Sequence, residues 1–242
     1  MTTRTTQQPR KLTPKGERTR LRIVAAAAQL MFDRGVASTT MEDVKAASGA
    51  SSSQLYHYFA DKQALILDVI AYQDERIVGD QEPMLARLDS IDGLRAWCAF
   101  LVQHQHDLEC RGGCPIGSLG SELAEVDPAA RAAVSGSFLR WESGIRNGLR
   151  TMHERGELTA DPEDLALTIL AALQGGLLLT QIHRDVRPLQ VTLDAMIDHL
   201  QAHTTTAPRP AAAESDQALR RQDGTPHRPR AGGGPPGPGA GG

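Results

Sequence analysis

Residues 51 to 58 read Ser51, Ser52, Ser53, Gln54, Leu55, Tyr56, His57, Tyr58, a dense run of hydroxyl, amide and imidazole groups. Such groups read hydrogen-bonding edges, and here they suit a DNA groove bordered by phosphates. Leu55 and Phe59, four apart, anchor a very short helix, which leaves Ser52, Ser53, Gln54, Tyr56 and His57 pointing outward. The positive end of the helix dipole favours nearby phosphate, and the Gln54 amide has the two prongs that pair with adenine. A second group of reactive types follows. His104, His106, Cys110 and Cys114 are ligands that zinc prefers, and Cys110 with Cys114 could form a redox pair, because a thiol at a helix start has a lowered pKa. His104 and His106 point to different faces, however, and only Arg111 is a neighbouring base. Surface histidines and inert cysteines are the default there, and no metal or cofactor is expected.

Enzymatic chemistry is argued against by what the chain lacks. It has no GxxxxGK[ST] phosphate cradle, no strand-borne GxGxxG, no GxSxG elbow and no HExxH. The acidic pairs Glu42-Asp43 and Glu163-Asp164 lie near helix starts, where the dipole accounts for them.

The elements that must present these residues are all helices. Ile23, Ala27, Leu30 and Met31 share one face, as do Leu65, Val69 and Tyr72, and then Leu94, Trp97, Cys98, Leu101 and Val102. Val134, Phe138, Trp141, Ile145 and Met152 make a longer stripe; Leu189, Leu193, Met196, Ile197 and Leu200 make the last. Asp127-Pro128 and Asp161-Pro162 are helix starts, and Gly156 is a stop. About nine helices result. Within TTMEDVKAASGASSSQLYHYFADK, residues 39 to 62, two short helical patterns flank Gly49, with Thr39 or Thr40 capping the first and Ser51 the second. That is a helix-turn-helix signature.

Residues 16 to 70, with the helix 20 to 34, the turn SGAS and the run LYHYFADKQAL, resemble the TetR family of transcriptional regulators. The resemblance implies a three-helix DNA-binding head, a connecting fourth helix, a divergent helical body that holds a small effector, and a two-helix face that dimerises. Carried over by position, Thr40 and Lys62 fall where the family contacts phosphates, Tyr56 and Tyr58 flank the groove, and Ser52, Ser53, Gln54 and His57 approach bases. Thr39 and Ser51 complete the expected DNA-binding set. The chain departs from the family near Ser52 and Ser53, where Lys or Pro is common, and at Gln54, where a small hydroxyl residue is common, so an unusual operator is expected. The segment CRGGCPIGSLGSELAEVDP also resembles a Gly-Cys-Pro segment in the effector domains of some TetR relatives, LmrA-like ones among them.

Charge follows the same division. The 242 residues carry 26 Lys or Arg and 29 Asp or Glu, a net −3, with 40% apolar and 4% aromatic residues. The first 62 residues hold ten bases and five acids, the other 180 hold 16 and 24, so a basic head precedes an acidic body. A flexible basic arm is expected over 1–15, the head over 16–62, an effector and dimerisation domain over 63–203, and a disordered Pro/Gly-rich tail over 204–242. The odd cysteine count and a start, MTTRTTQQPRKL, without an apolar signal segment point to the cytoplasm. The uncharged run Leu165 to Ile182 contains Thr168, Gln174 and two glycines, which makes a buried helix the better reading than a membrane span.

Within the body, Trp97, Phe100, Leu101, His104, Cys114, Phe138, Trp141, Gln174 and Leu178 are the expected pocket lining, with core packing as the competing role for each aromatic. Leu173, Gly176, Leu177, Leu193, Ile197 and Leu200 are the expected dimer face, since two heads about 34–36 Å apart are needed to read a pseudo-palindromic operator on double-stranded DNA. The reading is a homodimeric repressor released by a small molecule. A redox- or metal-responsive regulator using His106, Cys110 and Cys114 is the alternative, and a constitutive dimer with a filled core is the third.

Overall fold

In the computed structural model, which describes residues 12–205, the chain is helical throughout apart from one isolated antiparallel bridge between Leu158 and Thr204. The helices are α1 (Pro14–Arg34), α2 (Met41–Ser48), α3 (Ser52–Tyr58), α4 (Lys62–Ile77), the single turn α5 (Glu82–Leu85), α6 (Ile91–Asp107), α7 (Pro115–Leu123), α8 (Pro128–Glu154), α9 (Pro162–His183) and α10 (Arg187–Ala202). The all-α class is as expected, and the count exceeds nine because α5 forms after a short 3-10 turn at Gly79–Gln81.

The helix starts follow from side-chain caps, each satisfying backbone N–H groups that a helix leaves without partners. Thr13 caps α1, Asp61 caps α4, Ser90 caps α6, Asp127 caps α8 and Asp161 caps α9. In α2 and α3 the cap is reciprocal: Thr40 with Asp43, and Ser51 with Gln54, each exchange backbone and side-chain bonds. Since α1 already begins at Pro14, Lys15 lies on the helix rather than on a flexible arm. Arg4, Arg10 and Lys11 fall outside the described residues. At the other end Thr204 and Thr205 are fastened to the α8–α9 loop, Thr205 donating from its N–H to Glu157 O at 3.0 Å, so they are not part of the expected tail. That tail, from residue 206, lies outside the described residues.

The head is α1 packed on α2 and α4, with Ile23, Ala27, Val44, Leu55, Phe59 and Leu65 buried at its centre. In the body, α9 lies between α8 and α10, and α10 also packs on α6. Among the described residues α9 alone is long and apolar enough to cross a bilayer, but Leu165, Ile169, Leu173 and Leu177 bury one face of it in the core.

Candidate functional site

The turn before α3 depends on Gly49, whose φ of 63° lies in the left-handed region that a glycine adopts without strain. On the α3 that follows, only Leu55 and the C-cap Phe59 are fully buried. Ser52, Ser53, Gln54 and His57 are exposed, and Tyr56 is 53% exposed. Tyr58 is half-buried, its ring tilted against Phe59 and its hydroxyl beside Gly16. Over the Phe59 ring stands the Arg20 guanidinium, 5.9 Å from the centroid and paired with Asp68, which locks α1 to α4 behind α3.

The structure separates the expected DNA-binding residues into groups. Thr40, Ser51, Ser52, Ser53, Gln54, Tyr56 and His57 are all exposed. Thr39 does not: it is 1% exposed and its hydroxyl donates to Gly35 O at 2.9 Å, because the helix cap is Thr40 instead. Lys62, at the start of α4, donates from Nζ to Val36 O at 2.6 Å and is half-buried. Gln54 is also engaged, since its Oε1 accepts from Ser51 N at 3.0 Å. Two-pronged pairing with adenine would break that cap; the amide nitrogen alone is free as it stands.

A cavity of about 800 Å³ opens in the body between α7, α8 and α9. Cys114, Phe138, Gln174 and Leu178 lie in its wall. Trp97, Phe100, Leu101, His104 and Trp141 do not. Trp97 is wholly buried, donating from Nε1 to Gln81 Oε1 at 2.8 Å; Leu101 and Trp141 are core; Phe100 and His104 stack on each other, their ring centroids 6.1 Å apart, on the exposed side of α6. For the four on α6 the reason is that this helix packs on α10, away from the cavity. Reading the aromatics missed the small residues that make room for it. Gly117, Gly120 and Ser121 recur at helical spacing on α7, and that pattern was the available signal.

The loop before α7 is sharply bent. Glu109, Cys110, Gly112 and Gly113 all have positive φ, and the Arg184 guanidinium donates to Cys110 O at 3.0 Å. Cys114 caps α7, its Sγ accepting from Gly117 N at 3.3 Å. Burial nevertheless pushes the Cys114 thiol above its ordinary pKa, outweighing the helix-start hydrogen bonds that lower it; burial also pushes Cys98 up to about 12. The lowered pKa expected for a helix-start cysteine is therefore reversed. All three cysteines are free, and among the described residues no three His, Cys, Asp or Glu side chains gather as a metal site. At pH 8 Cys98, with a pKa near 12, is ionised to about one part in ten thousand, and Cys114 is shielded by its burial. Iodoacetamide followed by mass spectrometry is expected to leave Cys98 and Cys114 essentially unlabelled in the native chain and to label both in urea. Fast native labelling of Cys114 would restore the redox reading.

The expected dimer residues Leu173, Gly176, Leu177, Leu193, Ile197 and Leu200 are all buried within the single chain. They form the seam between α9 and α10, where the Leu189 side chain closes over Gly176. The exposed large apolar side chains on these two helices are others: Leu167, Leu178, Leu179 and Ile182 on α9, and Val191 on α10.

The family model "Bacterial regulatory proteins, tetR family" matches residues 23–69, and "Tetracyclin repressor-like, C-terminal domain" matches residues 90–196. The chain is similar to the uncharacterized HTH-type transcriptional regulator YxaF of Bacillus subtilis, 25% identical over 74% of this chain and 92% of YxaF. It is likewise 25% identical to the HTH-type transcriptional regulator LmrA of the same organism, over 70% of this chain and 90% of LmrA. Among solved structures, a TetR transcriptional regulator from Chloroflexus aurantiacus superposes with a TM-score of 0.68 at 27% identity, covering 79% of this chain and 98% of that one. With head and body each matched in place, the chain is a DNA-binding transcriptional regulator that belongs to the tetR family.

Proposed function

We propose that this chain is a homodimeric repressor, acting in the cytoplasm, that leaves a pseudo-palindromic operator when a small molecule occupies the cavity between α7, α8 and α9. The observation that carries this reading is the position of α7. Gly117, Gly120 and Ser121 on one side of it line the cavity, while Glu122 on the other side accepts a hydrogen bond from Val36 N, in the head, at 2.7 Å. Phe32 at the end of α1 lies so close to Gly112 that a Cβ there would stand 2.1 Å from its Cζ. A ligand that displaces α7 therefore acts on the joint that orients α3. The size of the cavity is that of a drug-like ligand site, which weighs against a constitutive dimer with a filled core.

Operator DNA selected from a random library by the full chain provides the test. Ligand and operator prefer different states in this reading, so each must weaken the other by the same factor in anisotropy titrations. An occupied cavity with unchanged operator affinity would refute the release mechanism.

On the same DNA, Lys62→Ala is expected to weaken binding to all sequences alike and to reduce the salt slope by about 1. Gln54→Ala is expected to relax base preference, because it removes the exposed amide nitrogen that is free to donate to a base edge, while Ser51 still caps α3. An unaltered salt slope in the first case, or unaltered preference in the second, would remove that residue from the interface.

A further inference from the structure

Among the described residues, Gln174, on α9, is the one in the cavity wall with a buried side-chain polar atom that the chain leaves without a partner. Its Nε2 is buried and has no hydrogen-bond partner. Asp74, Gln105 and Trp141 also carry such an atom, but only Gln174 lines the cavity. The oxygen end of its amide is lodged against α7, where a Cβ on Gly117 would come within 3.1 Å of Oε1. Leaving an amide N–H buried without an acceptor costs free energy that an occupant with an oxygen in the right place would recover. Around it, Phe138, Leu170, Leu177 and Leu178 supply an apolar wall. The nearby carboxylate does not reverse this preference, because Glu142 is already paired with Arg146 at 3.1 Å.

We infer that the cavity selects an apolar molecule carrying a hydrogen-bond-accepting oxygen, a ketone, ester or amide carbonyl for instance, with that oxygen on Gln174 Nε2. This rests on the cavity being the ligand site, as proposed above.

Two probes of the same shape test it: benzophenone, which has a carbonyl, and 1,1-diphenylethylene, which has a methylidene in its place. Titration calorimetry on the full chain is expected to give benzophenone about fivefold tighter binding or more, the equivalent of one neutral hydrogen bond. Gln174→Leu is expected to bring the ratio to near one, chiefly by weakening the ketone. Ser135→Trp, which puts an indole into the cavity from α8, is expected to weaken both. If the ratio in Gln174→Leu stays at the wild-type value, or if the wild-type chain binds neither probe or prefers the hydrocarbon, the inference is overturned. If both probes bind Ser135→Trp as well as wild type, the cavity is not their site and the reading beneath it fails instead.

Discussion

Ile182→Glu is expected to turn the protein into a monomer and to weaken operator binding by a factor of about a hundred or more. In the single chain Ile182 is 63% exposed, and Leu178, one turn earlier, is 56% exposed. With Leu167 they form an outward stripe on a helix that carries no Lys, Arg, Asp or Glu between Asp164 and Arg184. Leu167 and Leu178 also line the cavity, but Ile182 and Leu179 do not, and a second copy across a two-fold axis gives that exposed apolar surface a partner. The substitution puts a carboxylate from each copy into that contact, and desolvating each costs several kcal/mol without a partner charge. One head alone then binds one half-site, and the gain from linked binding, about 10²–10⁴, is lost. Sedimentation velocity and anisotropy on selected DNA measure the two effects together. Because the side chain is exposed in the protomer, its helix content by circular dichroism should not change. A dimer that persists with full operator affinity would move the interface off this face of α9.

That face also shows where reading the sequence stops. The helices, their caps and the helix-turn-helix are legible because each is a local matter: a hydroxyl or carboxylate before a helix, a glycine at positive φ, apolar residues 3.6 apart. Thr40 with Asp43 and Ser51 with Gln54 are contained within four residues each. The face by which α9 meets α10, and the one it leaves bare, is not local. The helix is apolar nearly all round, so its periodicity does not choose between Leu177, which is buried, and Leu178, which is not. The aromatics of the body misled for a related reason. Trp97 and Trp141 are large enough to fill either a pocket wall or a core, and the partner helix decides which. For Trp97 the decision is made by Gln81, 16 residues away, whose amide oxygen takes the indole N–H inside the core.

Small residues do the opposite work. Gly120 on α7 has Val134 of α8 against it, a Cβ there standing 3.1 Å from Cγ1, and Gly117 has Gln174 of α9 equally near. These glycines let α7 lie close to α8 and α9 while leaving the volume beside it open. The cavity and the joint are thus two sides of one nine-residue helix.

Glu122→Ala tests that joint at its narrowest point and is expected to cost about 1–3 kcal/mol of stability, the penalty for a buried N–H left without an acceptor. Val36 is 4% exposed, and among the described residues its amide has the Glu122 carboxylate as its partner, at 2.7 Å. Gly35 beside it sits at a φ of 85°, where a side chain would be strained and would also crowd the same carboxylate at 3.1 Å. On the far side Lys62 donates to Val36 O, so one peptide segment is gripped from the cavity helix through its N–H and from the start of α4 through its carbonyl. Removing the carboxylate frees the first grip and leaves the second. Urea titration should show a lower midpoint with an unchanged slope, and hydrogen exchange should show faster exchange at the Val36 amide with core amides of α8 and α9 less affected. Operator affinity in this variant should then respond less to a ligand that binds the cavity as well as before. Unchanged Val36 exchange, or full ligand response without Glu122, would mean that the head takes its orientation from α4 and Arg140, whose guanidinium reaches Asp74 at 2.7 Å, rather than from α7.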